Sequence, residues 1–171
     1  MKKDHFYTIS LSHRKEKEQG FFQKENEDWV LLKALFSDYM MDGVLLINKK
    51  YISLTKRESD EEFTEKVILA NNRLNTENLT ILDSADLYET FRKDKVVIQL
   101  SHYEDSAANI GRIVKVNDKS LSMLLLNTRG IWDDYYSNIR KDKIRTIKYN
   151  TDYIRSLLTY SEYLDKKKSV I

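Results

Sequence analysis

The chain of 171 residues contains no cysteine, no proline and only four glycines. Without cysteine there is no disulfide, no thiolate metal site and no cysteine nucleophile, a composition that fits a reducing compartment. Four glycines cannot build a long phosphate-cradling loop, and no P-loop, Gly-x-Gly-x-x-Gly or Gly-x-Ser-x-Gly pattern occurs. His5, His13 and His102 stand too far apart to form a His-x-His or His-Glu-x-x-His pair, so neither a metal nor a cofactor is expected. No run of eighteen apolar residues is present, and the opening Met-Lys-Lys-Asp-His-Phe lacks the apolar stretch of a signal peptide, which predicts a cytoplasmic protein without a membrane partner. Net charge is also nearly absent: 29 basic residues against 27 acidic ones leave +2, so no global field draws the chain to nucleic acid. Proline's absence, against an average of about 5%, points to no function.

What is present is enough for a packed core: 41% hydrophobic residues, 11% of all residues aromatic, with a high charged share of 33%. The length suits one ordinary domain or two small ones. A self-similarity decides for two. Setting Gly20 onward over Gly111 onward at an offset of 91 aligns Lys24 with Lys115, Asn26 with Asn117 and Leu32 with Met123. At 92 it aligns Ile47 with Ile139, Lys49 with Lys141 and Ile52 with Ile144. The expected halves are residues 1–75 and 76–171.

Each half reads as five strands and a helix. In the first, strands are expected at His5–Leu11, Gly20–Lys24, Trp29–Leu35, Val44–Ile47 and Tyr51–Lys56, with the charged run Ser12–Gln19 as a solvated loop. Asp38 to Gly43, which carries the Asp42-Gly43 pair, marks the expected hairpin turn. Ser59-Asp60-Glu61-Glu62 reads as a capping box opening a helix whose apolar stripe is Phe63, Val67, Ala70 and Leu74. Residues 71–80 form the expected linker, and a short helix follows from Ser84 with Leu87, Tyr88 and Phe91 on one side. The second half repeats the order, with strands at Val96–Leu100, Ile110–Val116, Leu121–Leu126, Tyr135–Ile139 and Ile144–Tyr149. Residues 101–108 form a loop, and Thr151-Asp152 caps a last helix carrying Ile154, Leu157, Leu158, Ser161 and Leu164 on one face. Meanders of this size avoid exposed edges by curling up. The expected fold is therefore mainly β with helices (α+β), two tandem five-stranded small barrels each followed by a helix.

The glycine-bearing second strand at Gly111, the Asn127-x-x-Gly130 turn and the leading short helix, within Asp83–Tyr149, resemble the Sm-like (SH3-like) small β-barrel. The paired arrangement is similar to that of bacterial two-module proteins of unassigned activity. The Sm-like resemblance implies oligomeric rings and single-stranded RNA binding, although the Tyr-Lys-His signature of its bacterial RNA-chaperone branch is absent here.

Two surfaces stand out. Arg140, Lys141, Lys143, Arg145 and Lys148, against the single acid Asp142 and next to Tyr136, interleave cations with aromatics as phosphate and base contacts require. Lys49, Lys50, Lys56 and Arg57 match this strip in the first half. Phe36, Tyr39, Met40 and Met41, with Trp132, form an apolar group large for a hairpin tip, either tucked onto the other barrel or open to a partner. The carboxylate pair Asp133-Asp134, beside Trp132, Tyr135 and Tyr136, is the densest polar-aromatic cluster, but neighbours on an extended chain point opposite ways, so it reads as a turn with a solvated acid. No catalytic residue is assigned. The leading expectation is a noncatalytic protein-interaction module that binds an unidentified protein or itself. The alternative is an Sm-like RNA-binding protein, and the weakest is an enzyme whose site is assembled across both halves.

Overall fold

A computed structural model describes residues 1–74, 79–102 and 108–168. The expected linker and the 101–108 loop fall partly on 75–78 and 103–107, outside the described residues. The chain is mainly antiparallel sheet with three α-helices among the described residues, an α+β protein. No described helix is long and apolar enough to cross a membrane. It divides into two compact units, Met1–Ala85 and Asp86–Ile171.

The first unit contains β1 (Phe6–Leu11), β2 (Lys17–Glu25), β3 (Trp29–Ser37), β4 (Met40–Asn48), β5 (Ile52–Lys56) and α1 (Ser59–Ala70). The second contains α2 (Leu87–Lys93), β6 (Val97–His102), β7 (Asn109–Val116), β8 (Ser120–Leu126), β9 (Trp132–Arg140), β10 (Ile144–Tyr149) and α3 (Asp152–Lys168). Within the first unit the strands lie in the order β5-β1-β2-β3-β4, and within the second β10-β6-β7-β8-β9. Closed barrels were the expectation. Instead, among the described residues no ladder joins β4 to β5 or β9 to β10, so each unit carries an open run of five strands. A three-residue 3-10 turn, Lys49–Tyr51 or Lys141–Lys143, carries the chain from the fourth strand to a fifth that pairs with the first.

The ladders of the two units share their register. Gly20 faces Ala34 and Phe22 faces Leu32, with an irregularity before Lys24 faces Leu31. At an offset of 91, Gly111 faces Leu125 and Ile113 faces Met123, with the irregularity before Lys115 faces Ser122. The two glycines answer the same demand. A Cβ on Gly20 would lie 2.2 Å from the Lys33 carbonyl oxygen, and one on Gly111 2.2 Å from that of Leu124, so the backbones pass too close for any side chain.

Strand parity then sorts the core. Tyr7, Ile9 and Leu11 point with Phe22, Val30, Leu32, Leu45 and Ile47 into one apolar cluster of the first unit. Phe6 and Phe21 take the opposite face, where Ile68 of α1 covers them. In the second unit Val97, Ile110 and Leu126 pack with Ile154 and Leu157 of α3.

Several boundaries differ from the sequence expectations for identifiable reasons. The charged run is not all loop: Lys17–Gln19 open β2, and Glu18 is buried opposite Ile9 while Arg14 donates to it at 3.0 Å. Within the expected turn segment 38–43, the β3–β4 turn itself is made by Asp38-Tyr39, both left-handed at φ 30° and 65°, and not by the Asp-Gly pair. Gly43, at φ 68°, takes up a bulge inside β4 where Asp42 and Gly43 together oppose Ala34. Asp133-Asp134 lie in β9 rather than in a turn. The stripe assigned to α1 is also rotated. Phe63 and Ala70 are exposed, and the helix turns Glu61 and Ile68 inward.

Replacing either glycine with alanine must push the second and third strands of its unit apart. Gly20→Ala and Gly111→Ala are each expected to destabilise their unit by about 1–3 kcal/mol, read as a lower midpoint in chemical denaturation. An unchanged midpoint would show that the close approach relaxes at no cost.

Candidate functional site

The first candidate surface is the tip of the β3–β4 hairpin. Tyr39 and Met41 are partly buried against the first unit's own Phe6, Phe21 and Ile68. Arg73 also donates to the Tyr39 carbonyl at 3.4 Å. Phe36 and Met40 are left outside, 70% and 54% exposed. Trp132, grouped with this patch by sequence, lies instead in the second unit, half-buried against that unit's apolar cluster with the Arg112 guanidinium 4.9 Å from its ring centre.

The second candidate, the basic strip, is dispersed by the fold. Arg145 is only 4% exposed on β10, which removes it from any phosphate-facing surface. Both nitrogens of the Arg140 side chain that bond are taken by Asp142, at 3.0 and 2.7 Å. Lys141 sits 5.2 Å over the Tyr88 ring, and Lys143 and Lys148 are half-buried. Tyr136 is exposed on β9 beside the equally exposed Tyr135. Of the matching cations in the first unit, Lys49 pairs with Glu25 at 2.6 Å, Lys56 with Glu58 at 3.1 Å and Arg57 with Glu65 at 2.8 Å, while Lys50 lies 5.4 Å over the Tyr51 ring. The Glu58 hydrogen bond, together with its charge, raises the Lys56 pKa.

The sequence reading missed a buried charged network under α1. Glu61 accepts from Thr8 Oγ1 at 2.8 Å and from the Glu58 N–H at 2.9 Å, while Gln19 donates to the same Thr8 oxygen at 2.9 Å. One turn on, Glu65 accepts from the Phe6 N–H and from Arg57, both at 2.8 Å, with His5 Nδ1 at 3.5 Å. Part of its signal was legible: Glu61 and Glu65 stand four apart on one face of α1, with Arg57 just ahead of the helix. Burial alone would raise the Glu61 pKa, but the hydrogen bonds from Thr8 and the backbone, with Lys56 nearby, hold it below its usual value. This network ties a helix to a strand and carries no leaving group, nucleophile or open cleft.

A carboxylate with a depressed pKa stabilises the fold above its unfolded value and loses that contribution as pH falls through the folded one. Glu61→Gln is therefore expected to cost about 1–3 kcal/mol at neutral pH, with the gap to the wild type closing below about pH 4. Denaturation midpoints measured across that range check it, and a gap independent of pH would contradict it.

No family model, curated protein or solved structure matches this chain.

Proposed function

We propose that the chain is a noncatalytic binding module built from two curled, Sm-like small barrels in tandem, and that it docks a protein partner or a second copy through the β3–β4 tip. Support for the curling comes from chain length. Four inter-strand steps of about 4.8 Å separate the first and last strands of a flat five-strand run, about 19 Å. Lys49–Tyr51 spans about 6 Å at the rise of a 3-10 turn, yet links β4 to β5 at opposite ends of that run. Only a strongly curled sheet brings those ends together. Support for the tandem reading comes from the common register at offsets of 91 and 92.

The observation that carries the docking reading is the division of labour at the tip. Tyr39 and Met41 are packed below, while Phe36 and Met40 stand in solvent on a hairpin already fixed in shape. A preordered apolar projection loses little entropy on binding and has the size of a contact anchor. Phe36→Ser with Met40→Ser is expected to leave the melting temperature within about 2 °C, because exposed substitutions cost little. The same change should abolish self-association in sedimentation, or the recovery of a cross-linked protein. Changing Met41 instead would confound the result by disturbing the core. Retained association in the double variant would end this reading.

A second reading, single-stranded RNA binding, is favoured by Tyr135 and Tyr136, two exposed rings on one strand of the kind bases stack on. It requires oligonucleotide binding that weakens with salt and falls roughly ten-fold in Tyr136→Ala, the loss of one stacked base. No binding at low salt removes it.

A further inference from the structure

The same ladder position is filled differently in the two units. In the first, Phe21, Phe6 and Met41 meet under Ile68 as a packed apolar cluster. At the registers 91 residues on stand Arg112, Val97 and Trp132: Arg112 pairs with Val97 as Phe21 does with Phe6, and Trp132 faces Leu126 as Met41 faces Leu35. A core phenylalanine is thus replaced by an arginine lying on an indole. Beside that pair is a pocket of about 330 Å³, walled by Val97, Ile154 and Leu158 and rimmed by Lys95, Arg112 and Arg155.

The chemistry of this pocket is one-sided. It has three cations, one indole and aliphatic walls, and no carboxylate lines it. Arg155 is engaged, donating to the Asn150 carbonyl and lying 3.5 Å from Asp152. Lys95 and Arg112 make no ion pair among the described residues. Two residues of the lining, Lys95 and Asn150, also hold left-handed backbone at φ 53° and 55°. Lys95 follows α2, its N–H bonded to the Arg92 carbonyl, in the place where glycine is favoured. A lysine is therefore retained where a residue without a side chain would be less strained.

We propose that this pocket binds a nucleoside monophosphate, its base against the Arg112–Trp132 pair and its phosphate on Lys95 and Arg112. The volume is at the small end of ligand sites, about 300–1,000 Å³, which suits one nucleotide rather than two. A flat ring is what an indole and a guanidinium plane accept by stacking, and a phosphate is what a planar guanidinium binds through two hydrogen bonds. Inorganic phosphate would leave the apolar wall uncovered, and a nucleoside would leave the cations unpaired. The site is separate from both surfaces proposed above and stands or falls independently of them.

Calorimetric titration of the full chain with AMP tests it, with adenosine, inorganic phosphate and a 5′-phosphorylated tetranucleotide as further arms. AMP is expected to saturate, with adenosine and phosphate each bound at least roughly ten-fold more weakly, the loss of one charge-assisted contact. Arg112→Met, which keeps the packing stem, is expected to weaken AMP by a similar factor at an unchanged melting temperature. Lys95→Gly is expected to weaken AMP while holding or raising that temperature, an opposition that a purely structural lysine would not produce. Tetranucleotide tighter than AMP identifies a strand end as the natural source, and the reverse identifies the free nucleotide. No saturation by AMP up to about 1 mM, equal binding by Arg112→Met, or phosphate alone binding as tightly as AMP would each overturn the proposal.

Discussion

Two backbone crossings set the shape of this protein. Where β2 passes β3, and where β7 passes β8, a glycine leaves no distance for a Cβ against the opposing carbonyl, 2.2 Å in both cases. Close passage of this kind lets long strands bend sharply over one another instead of lying flat. The irregularity three residues after each glycine, before Lys24 and before Lys115, adds to the local twist.

On that common frame the two units have chosen different chemistry for the junction of helix and sheet. In the first unit α1 is held by carboxylates, with Glu61 on Thr8 and Glu65 on the Phe6 N–H and Arg57. In the second, α3 uses Ile154 and Leu157, and its start is capped by Thr151 Oγ1, which accepts from the Ile154 N–H. Buried charges that are fully hydrogen-bonded fix one helix orientation, because any slip leaves a carboxylate unpaired. An apolar junction tolerates imperfect filling, and there the pocket beside Arg112 and Trp132 lies. The first unit is the filled version of the arrangement and the second is the open one.

Much of the element list was readable in advance. β1 alternates as expected, with Tyr7, Ile9 and Leu11 in one cluster, and the α3 stripe of Ile154, Leu157 and Ser161 faces inward. The α1 stripe was misread because hydrophobicity was taken as the guide to burial. Phe63 is exposed, since at this junction the sheet offers a threonine hydroxyl and a backbone N–H, which an acceptor such as a carboxylate satisfies and an aromatic ring does not. Charge along the chain says nothing about pairing, and the fold buries Arg145 and occupies Arg140 with Asp142. Asp42-Gly43 carried a turn signal, but the left-handed glycine was needed for a bulge, while Asp38 and Tyr39 supplied the turn.

The amino-acid order alone settled the local and periodic features: roughly where most strands lie, and that the pattern of 20–56 recurs near 111–148. These follow from short-range sterics and side-chain alternation, which need only neighbouring residues. Tertiary structure decided what those features do: which cations are neutralised, which aromatic of the hairpin tip faces water, and that Arg112, Lys95 and Trp132 meet around one cavity. Such outcomes depend on groups distant in sequence competing for the same space and the same hydrogen bonds, and that competition is resolved only when the chain has folded.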